Sequence, residues 1–409
     1  MKRPQLIIVP GREKAIMRRH PWIFSGAVKR TEGDPQEGDV VDVVDSQGRW
    51  MATGHYQAGE SIVCKVLSFD SPQVDLDFFR QRFASAIAYR ERMGLFSSPD
   101  TNVFRLVHAE GDYLPGLVAD WYNGILVLQA HSVGMHRLFD RFVPLLVELL
   151  TPYGLRALFD KSSATLASGS TDGYLWGIEP QEHEVVEHGN RLLINFYEGQ
   201  KTGFFVDQRE NRALVAQLAR GHRVLNCFGY TGGFSLAALR GGAEFVETVD
   251  ISRKAIELCN RNVVLNFGPD APHRGTVADV LDFLGGKRKE ESGKQRDHTF
   301  NSQSSTFDFI ILDPPAFAKN HRSLQAGLKG YRSINQRALE ALPEGGLLMT
   351  FSCSQAVSKD DFQTMIFTAA MNAHRRVRIV RQLPHAMDHP VSIHHPEGEY
   401  LKGLLLQVE

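Results

Sequence analysis

The sequence predicts an α/β protein whose carboxyl-terminal half forms a doubly wound, Rossmann-like parallel sheet. From about residue 187, short apolar runs alternate with helix-length segments, which is the βαβ order of such domains. Two of these runs end in polar, reactive residues: FDFIILDPP reaches Asp313, and GLLMTFSCS reaches Cys353. Because ligands bind at the carboxyl ends of parallel strands, we expect Asp313 and Cys353 to face one pocket.

Length and composition are typical of a soluble globular chain with two or three domains. The 409 residues are 43% hydrophobic and 23% charged, and the net charge of -1 is no general signal for nucleic acid. The four cysteines have neither disulfide nor metal-ligand spacing, so we expect reduced thiols, a cytoplasmic location and no metal site. No signal peptide and no apolar run of about 18 residues is found, so no membrane span is expected.

Residues 1–72 are predicted to form a small β-rich module, because short strand-like runs alternate with Gly, Pro and Asp turn signals. Its first thirty residues carry eight Lys and Arg against the single acid Glu13. In RRHPWIFSGAV, the cations Arg18 and Arg19 precede Trp22, so phosphate pairing and base stacking are one interpretation. A solvated basic face with Trp22 in a small core is an equally good one.

Residues 73–186 are predicted to be a mixed α/β segment. VDLDFFRQRFASAIAYRERMG has the apolar spacing of an amphipathic connecting helix. FRLVHAEGDYLPGLVADWYNGILVLQAHS contains three strand candidates, and MHRLFDRFVPLLVELL follows as a helix with an apolar face. Further along the chain, residues 285–306 are charged and almost free of apolar side chains, so we expect a disordered insertion between two strands.

A glycine-rich turn after the first strand of the α/β domain is a candidate cofactor site. It lies between a strand and a helix, where glycines allow close approach of a ligand and helix amides can bind an anion. Its spacing is neither GxGxxG nor a Walker loop. The candidate residues are Phe228, Gly229, Tyr230, Thr231, Gly232, Gly233 and Phe234.

Two acidic residues strengthen this interpretation. Asp250 ends the next strand, where it can accept both ribose hydroxyls of an adenosine, and Asp279 is predicted to end the third strand, near the adenine amine. Each alone is more often a turn residue or a helix cap. Together with Asp313 they suggest S-adenosylmethionine (SAM), whose carboxylate suits the helix terminus and whose sulfonium suits an acidic pocket.

Cys353 and Asp313 suit one particular methyl transfer. Carbon 5 of cytosine attacks a sulfonium methyl only after a thiolate adds to carbon 6, and an acid at ring nitrogen 3 stabilises the adduct. Pro314 and Pro315 would stiffen a loop that holds a flipped-out base. The other three cysteines are expected to be buried and structural.

At these motifs the chain closely resembles the bacterial 23S rRNA cytosine-5 methyltransferases that carry an amino-terminal PUA domain. The resemblance rests on GREKAIMRRHPWIFSGAV, EGQKTGFFVDQRENR, NCFGYTGGFS, VDIS, VADV, LDPPAF, TFSCS and DHPVSIHHPEGEYLKG, and covers nearly the whole chain. It implies a PUA-like RNA-binding domain at 1–72, a linker helix and central RNA-binding domain at 73–186, and a methyltransferase domain at 187–409. In related tRNA and 16S rRNA enzymes a second Cys follows the motif's proline, and here Pro315 stands in that place.

The resemblance also implies roles for single residues. Cys353 would be the nucleophile, and Gln208 and Arg209 would border the cofactor site. Ser252 of VDIS would join the cofactor contacts, and Phe317 of LDPPAF would join Pro314 and Pro315 in contacting RNA. The implied partner is 23S rRNA or an assembling large subunit, and a homodimer is compatible with the sequence.

Three alternatives stay open. A guanine-N rRNA methyltransferase shares the DQR-like and DPPxF-like motifs but needs no thiol. An adenine-N6 or glutamine methyltransferase is disfavoured by Ala316, which separates the prolines from Phe317. A non-catalytic RNA-binding protein with a decayed domain is disfavoured by the intact acids and Cys353. The sequence thus favours SAM-dependent methylation of cytosine carbon 5.

Overall fold

The computed structural model describes residues 3–166, 170–289, 295–297 and 307–409. The chain forms two compact units. The first comprises Met1–Glu187, Ile194–Asp207 and Met387–Gly398, and the second His188–Leu193, Gln208–Ala386 and Glu399–Glu409. In the described part of the chain, no helix is long and apolar enough to cross a membrane. The division of the sequence into three domains, with its two boundaries, stays a prediction.

The amino-terminal part of the first unit is a six-stranded sheet in the order β2-β6-β5-β4-β1-β3. Its elements are β1 (Gln5–Ile8), α1 (Lys14–Met17), β2 (Trp22–Phe24), β3 (Val28–Glu32), β4 (Val40–Val44), β5 (Trp50–Tyr56) and β6 (Ile62–Ser68). Alternating apolar side chains such as Val41 and Val43 point into a small core that also holds Cys64. The predicted β-rich module is therefore confirmed.

A second sheet in this unit has the strand order β11-β10-β9-β8-β7 and its own apolar core. The elements are α2 (Leu76–Arg92), β7 (Val103–His108), β8 (Leu117–Tyr122), β9 (Ile125–Ala130), α3 (Val133–His136), α4 (Phe139–Leu150), β10 (Ala157–Asp160) and β11 (Gly173–Trp176). The α2 helix begins where the Asp75 carboxylate accepts the Phe78 amide at 3.0 Å, and it buries Phe79 and Phe83. Strands β12 (Glu182–Glu187) and β13 (Asn190–Asn195) follow.

A buried arginine joins separate segments of the first unit. The Arg90 side chain is fully buried in α2, and its guanidinium binds both oxygens of Asp112 at 2.5 and 2.8 Å. It also donates to the backbone carbonyls of Arg105 at 2.8 Å and of Asp388 at 2.5 Å. Arg90 therefore fastens the segment Met387–Gly398 to the helix and sheet of this unit, although 298 positions separate it from Asp388 in the sequence.

The second unit contains a seven-stranded sheet in the order β16-β15-β14-β19-β20-β22-β21. Its elements are α5 (Arg209–Leu218), β14 (Arg223–Cys227), α6 (Gly233–Arg240), β15 (Phe245–Asp250), α7 (Arg253–Phe267), β16 (His273–Val277), α8 (Val280–Leu284), β17 (Lys287–Lys289), β18 (Gln295–Asp297), β19 (Phe309–Leu312), α9 (Leu324–Ala341), β20 (Leu347–Ser352), α10 (Lys359–Asn372), β21 (Val377–Leu383) and β22 (Lys402–Val408). The first five strands of that order are parallel, and β22 is antiparallel to both of its neighbours. The predicted doubly wound sheet is confirmed.

The polar insertion differs from its prediction where the structure describes it. Lys287–Lys289 and Gln295–Asp297 form a short antiparallel pair, β17 with β18, instead of a disordered stretch. Backbone hydrogen bonds hold such a pair without apolar side chains. Residues 290–294 and 298–306, on which the rest of that prediction falls, lie outside the described residues.

Arg90→Met should destabilise the first unit strongly. We expect a loss of about 3–5 kcal/mol in its free energy of unfolding, because Asp112 would stay buried without its cation. Urea unfolding followed by tryptophan fluorescence measures this, since all four tryptophans lie in the first unit. Arg80→Met is the control, because its pair with Glu148 is exposed to solvent. An equal response of both variants would contradict the expectation.

Candidate active site

The candidate site lies where the order of the parallel strands reverses, at the carboxyl ends of β14 and β19. The strand register brings these ends level: Cys227 at the end of β14 lies beside Val249 on one side and Leu312 on the other. Leu312 in turn lies beside Thr350 of β20. The residues that follow these strands therefore meet at one edge of the sheet, as the sequence predicts.

The glycine-rich turn has a backbone that few sequences can adopt. Phe228 has φ of 59° and Tyr230 of 44°, and Gly232 has φ of 88°. A Cβ added at Gly229 would lie 2.2 Å from the Thr248 methyl, so the turn lies directly on the neighbouring strand. Two left-handed non-glycine residues in one turn are costly, and such strain concentrates at ligand sites.

A chain of buried polar side chains, which sequence reasoning missed, supports this turn. The Asn226 amide donates to the Ser235 hydroxyl at 2.8 Å, and that hydroxyl lies 2.6 Å from the Thr248 hydroxyl. The Thr248 oxygen is 2.7 Å from Nε2 of His273. Burial lowers the pKa of His273 to about 4, so the imidazole is neutral at pH 7. The chain ties α6 to strands β14, β15 and β16.

Asp250 is the acid that contacts the turn. It ends β15, and its carboxylate accepts the amides of Tyr230 at 3.0 Å and Ser252 at 2.8 Å. Each carboxylate oxygen keeps a further lone pair for a ligand hydroxyl. Ser252 is exposed, and its hydroxyl caps α7 by accepting the Ala255 amide at 3.3 Å. The structure thus brings Asp250 to the turn, while the Ser252 side chain serves the helix.

The prediction that Asp279 ends a strand is wrong. Strand β16 ends at Val277, and Asp279 is the N-cap of α8, where its carboxylate accepts the Asp282 amide at 3.1 Å. A helix cap was the other interpretation of Asp279 from the sequence. The structure has the cap because α8 begins directly after Asp279. Asp279 is exposed, and its adenine contact stays a prediction.

The end of the turn combines a buried hydroxyl with packing residues. Thr231 is 3% exposed, and its Oγ1 has no hydrogen-bond partner among the described residues. Gly233 begins α6, whose first amides lack carbonyl partners within the helix. The Phe234 ring is buried and stacks on Phe351 of β20 with centroids 5.9 Å apart. Phe234 is therefore placed in the core between α6 and the sheet.

Asp313 is held by a buried amide. Nε2 of Gln208 donates to Oδ1 of Asp313 at 3.1 Å, and the Asn211 amide donates to Oε1 of Gln208 at 2.7 Å. Gln208 and Asn211 are each at most 3% exposed. The Asn211 contact fixes which end of the Gln208 amide faces the carboxylate. Arg209 is also buried, and its guanidinium pairs with Glu210 at 2.9 Å.

Cys353 differs from the other cysteines in its exposure. It is half-buried at the end of β20, and its Sγ lies 3.8 Å from the carbonyl oxygen of Pro314. Burial raises the pKa of the Cys64 and Cys227 thiols and raises that of Cys259 to about 12. The sulfur of Cys353 is therefore the accessible thiol of the chain, and it adjoins the Asp313 loop.

Three residues that the sequence did not single out as site residues fasten the two strand-end loops together. The Ser354 hydroxyl accepts the Ala318 amide at 3.1 Å and lies 2.9 Å from the Tyr331 hydroxyl. Nζ of Lys402 donates to the Ser354 carbonyl oxygen at 2.6 Å. Burial raises the pKa of Tyr331, so it stays a neutral hydroxyl. No local sequence signal marks these contacts, because 36 positions separate Ala318 from Ser354 and 48 separate Ser354 from Lys402.

Comparison with known proteins agrees with this geometry. Residues 104–390 match the family described as S-adenosylmethionine-dependent methyltransferase, and residues 6–69 match a PUA-like domain. The chain belongs to the SAM-dependent methyltransferase family.

Relatives of this methyltransferase cover its full length. Proteins named "Ribosomal RNA large subunit methyltransferase I" from Escherichia coli (strain SMS-3-5 / SECEC) and Shigella flexneri are each 38% identical over 410 residues, covering 99% of both chains. A solved SAM-dependent methyltransferase from Streptococcus mutans has a TM-score of 0.83 at 22% identity, with 100% of each chain covered. A methyltransferase solved with SAH (S-adenosylhomocysteine) has the same values. The predicted fold class, PUA-like domain and SAM dependence are confirmed.

The turn of the methyltransferase fits SAM. Gly229 leaves no space for a Cβ on its sheet side, the first amides of α6 suit the carboxylate of the methionine moiety, and Asp250 is an acceptor for ribose hydroxyls. The buried Thr231 hydroxyl, without a partner among the described residues, adds a polar group that a ligand can satisfy. Bound SAM supplies an electrophilic methyl on a cationic sulfur.

The residues predicted to contact RNA divide between the units. In the second unit, Pro315 is exposed and Pro314 is buried. The ring of Phe317 packs on Tyr331 with centroids 4.7 Å apart and lies 6.3 Å from the Phe228 ring, which is a structural contact between the loop and the turn.

In the first unit, Arg18 is exposed, whereas Arg19 pairs with Asp70. The Trp22 indole donates to Glu110 at 2.8 Å and packs on His395, with ring centroids 4.3 Å apart. The exposed aromatic ring of this strand is Phe24, at 46% exposure, which the sequence did not single out.

Gly229→Ala should weaken cofactor binding. We expect about tenfold or more lower affinity for SAH, because the added methyl pushes the turn away from Thr248. Isothermal titration calorimetry measures the affinity, and the thermal midpoint checks the fold. Gly26→Ala is the control, since nothing lies within 4 Å of a Cβ there. Unchanged SAH affinity in Gly229→Ala would remove the turn from the cofactor site.

Proposed function

We propose that this methyltransferase transfers a methyl group to carbon 5 of a cytosine in large-subunit ribosomal RNA through a covalent bond to Cys353. The observation that carries the proposal is the half-exposed Cys353 thiol, which adjoins the Asp313 loop at the carboxyl ends of the strands that bear the cofactor turn. The names of the full-length relatives support large-subunit ribosomal RNA as the substrate. The PUA-like domain supports RNA binding.

In the first chemical step, the Cys353 thiolate forms a bond to carbon 6 of the cytosine. The electrons of the carbon 5–carbon 6 double bond move toward ring nitrogen 3, which takes a proton from the carboxylic acid form of Asp313. Carbon 5 becomes the carbon of an enamine and thereby a nucleophile. Gln208 supports this step by holding Asp313 in place through its amide.

In the second step, carbon 5 would take the methyl group as the bond from that methyl to the sulfonium sulfur of SAM breaks, which leaves neutral SAH. A base then removes the proton from carbon 5. The double bond between carbons 5 and 6 forms again, and the bond from carbon 6 to Sγ breaks. Cys353 leaves as a thiolate, and the Asp313 carboxylate takes back the proton from nitrogen 3. Both side chains return to their starting states, as a catalyst requires.

The two prolines after Asp313 support the binding of a nucleobase that is flipped out of its RNA helix. Pro314 directly follows the half-buried Asp313 and is buried, and Pro315 after it is exposed. Two consecutive prolines restrict the backbone, so the position of the Asp313 carboxylate is maintained when the base enters. In the first unit, the exposed Arg18 and Phe24 are the side chains we assign to phosphate pairing and base stacking.

Cys353→Ala should abolish methylation without loss of cofactor binding. Wild type and variant are incubated with tritiated SAM and unmodified 23S rRNA, and the RNA is digested to nucleosides. We expect labelled 5-methylcytidine from the wild type and none from the variant, with unchanged SAH affinity, because the nucleophile is lost and the turn is intact.

Cys64→Ala is the matched control, because Cys64 lies in the core of the amino-terminal sheet, and it should keep activity. A methylguanosine product, or activity in Cys353→Ala, would exclude the covalent cytosine mechanism.

Asp313→Asn should slow catalysis by roughly 100-fold or more in single-turnover assays, because an amide cannot donate the proton to nitrogen 3. The Gln208 hydrogen bond to the side-chain oxygen can persist, so SAH binding should change little. Asp308→Asn is the matched control: Asp308 precedes β19, whereas Asp313 follows it. If Asp313→Asn keeps a rate within threefold of the wild type, Asp313 is not the acid.

A further inference from the structure

Lys402 is a buried cation next to the loop that carries Cys353. It begins β22, pairs with Ser352 across the antiparallel ladder and is 6% exposed. Its Nζ donates to the carbonyl oxygens of Ser354 and Tyr400, each at 2.6 Å. Ser352 and Ser354 are the two chain neighbours of Cys353, so Lys402 contacts the backbone on both sides of the thiol.

No carboxylate neutralises this ammonium within the described residues. The nearby acid Glu399 is engaged by Lys359 at 2.6 Å, and Lys402 forms no salt bridge with it. Burying a charge without a counterion is unfavourable, and such groups concentrate at functional sites. Burial lowers the pKa of Lys402 to about 8, and among the groups that oppose this the charge of Cys353 acts most strongly. Because Lys402 contacts Ser352 and Ser354, which flank Cys353 in the chain, the thiol is the group next to this ammonium that can become an anion.

We infer that Lys402 is a positioning residue that stabilises the Cys353 thiolate by its charge and holds the Cys353 loop by its two carbonyl contacts. The inference rests on the proposed function in one respect, that Cys353 is the nucleophile. The carbonyl and hydroxyl groups near the loop are neutral, whereas the Lys402 ammonium carries a full positive charge. The ammonium is therefore the group that can stabilise an anion on sulfur.

The pairing affects both chemical steps. A buried cation next to the Cys353 loop raises the thiolate fraction near neutral pH, which favours attack on carbon 6. The same charge stabilises the thiolate that forms when the bond from carbon 6 to Sγ breaks. One ammonium therefore serves both steps. The other charged or titratable groups near Lys402 and Cys353 are Asp313, Glu399, Lys359 and Tyr331. Asp313 is an acid whose carboxylate is held by Gln208, so it supplies no positive charge. Glu399 and Lys359 pair with each other, and burial raises the pKa of Tyr331, so none of them replaces the ammonium.

The test measures the pH dependence of Cys353 alkylation by iodoacetamide in the full-length protein, with the modified peptide quantified by mass spectrometry. The measured alkylation comes from Cys353, because the other three cysteines are buried. In Lys402→Met we expect the pH midpoint of the alkylation rate to rise by about one unit or more, which is roughly a tenfold loss of thiolate near neutral pH. Lys402→Arg should restore most of the midpoint, since it keeps the charge.

Lys329→Met is the matched control, because Lys329 is an exposed lysine on α9 of the same unit and should leave the midpoint unchanged. SAH affinity checks the fold of each variant. If Lys402→Met fails to bind SAH, the reciprocal measurement replaces it: in Cys353→Ala, the amine pKa of Lys402, followed by NMR of labelled lysine, should fall. The charge coupling requires this fall.

An unchanged alkylation midpoint in a Lys402→Met protein that binds SAH would overturn the inference, as would an unchanged Lys402 pKa in Cys353→Ala. Both readouts are independent of RNA. If the midpoint shifts as expected but the wild type forms no 5-methylcytidine, the proposed function fails while the pairing of Lys402 with Cys353 stands.

Discussion

The order of strands in the second unit is the constraint on which the candidate site depends. Because β14 lies between β15 and β19, the chain leaves the sheet in opposite directions on the two sides of β14, and a crevice remains at its carboxyl end. The register places the ends of β14, β15 and β19 side by side. The cofactor turn, Asp250 and Asp313 meet there although up to 85 positions separate them in the sequence. A different strand order would separate the turn, Asp250 and Asp313, even with the same residues at these positions.

Two hydrogen-bonded networks hold the loops of the site in place. Below the turn, Asn226, Ser235, Thr248 and His273 form one buried hydrogen-bonded chain. Beside the thiol, Ser354 connects the Asp313 loop with the Cys353 loop through the Ala318 amide and the Tyr331 hydroxyl. Buried groups of this kind are costly when unpaired, so each network specifies one arrangement of its loops. A single, defined arrangement of the loops is required to position a nucleophile against a nucleobase.

The first unit illustrates a limit of sequence patterns. The basic run with Trp22 is compatible with RNA stacking and with a small core, and local sequence does not distinguish them. In the structure, the Trp22 indole binds Glu110, which is 88 positions away, and its ring packs on His395. Phe24, two positions further, is the exposed ring of that strand. An aromatic side chain reaches solvent or core according to which face of the strand it occupies and what covers that face.

The sequence by itself determined the local elements and the chemical groups at their ends. The apolar periodicity defined the strands and helices, and the strand-ending residues Asp250, Asp313 and Cys353 identified the edge that bears the chemistry. The same reasoning misplaced Asp279, because strand and cap differ by two residues at a boundary that propensity does not resolve. Only the tertiary structure brought Gln208 to Asp313 and Lys402 to the Cys353 loop. Such contacts join segments far apart in sequence, and packing selects them when the sheet is assembled.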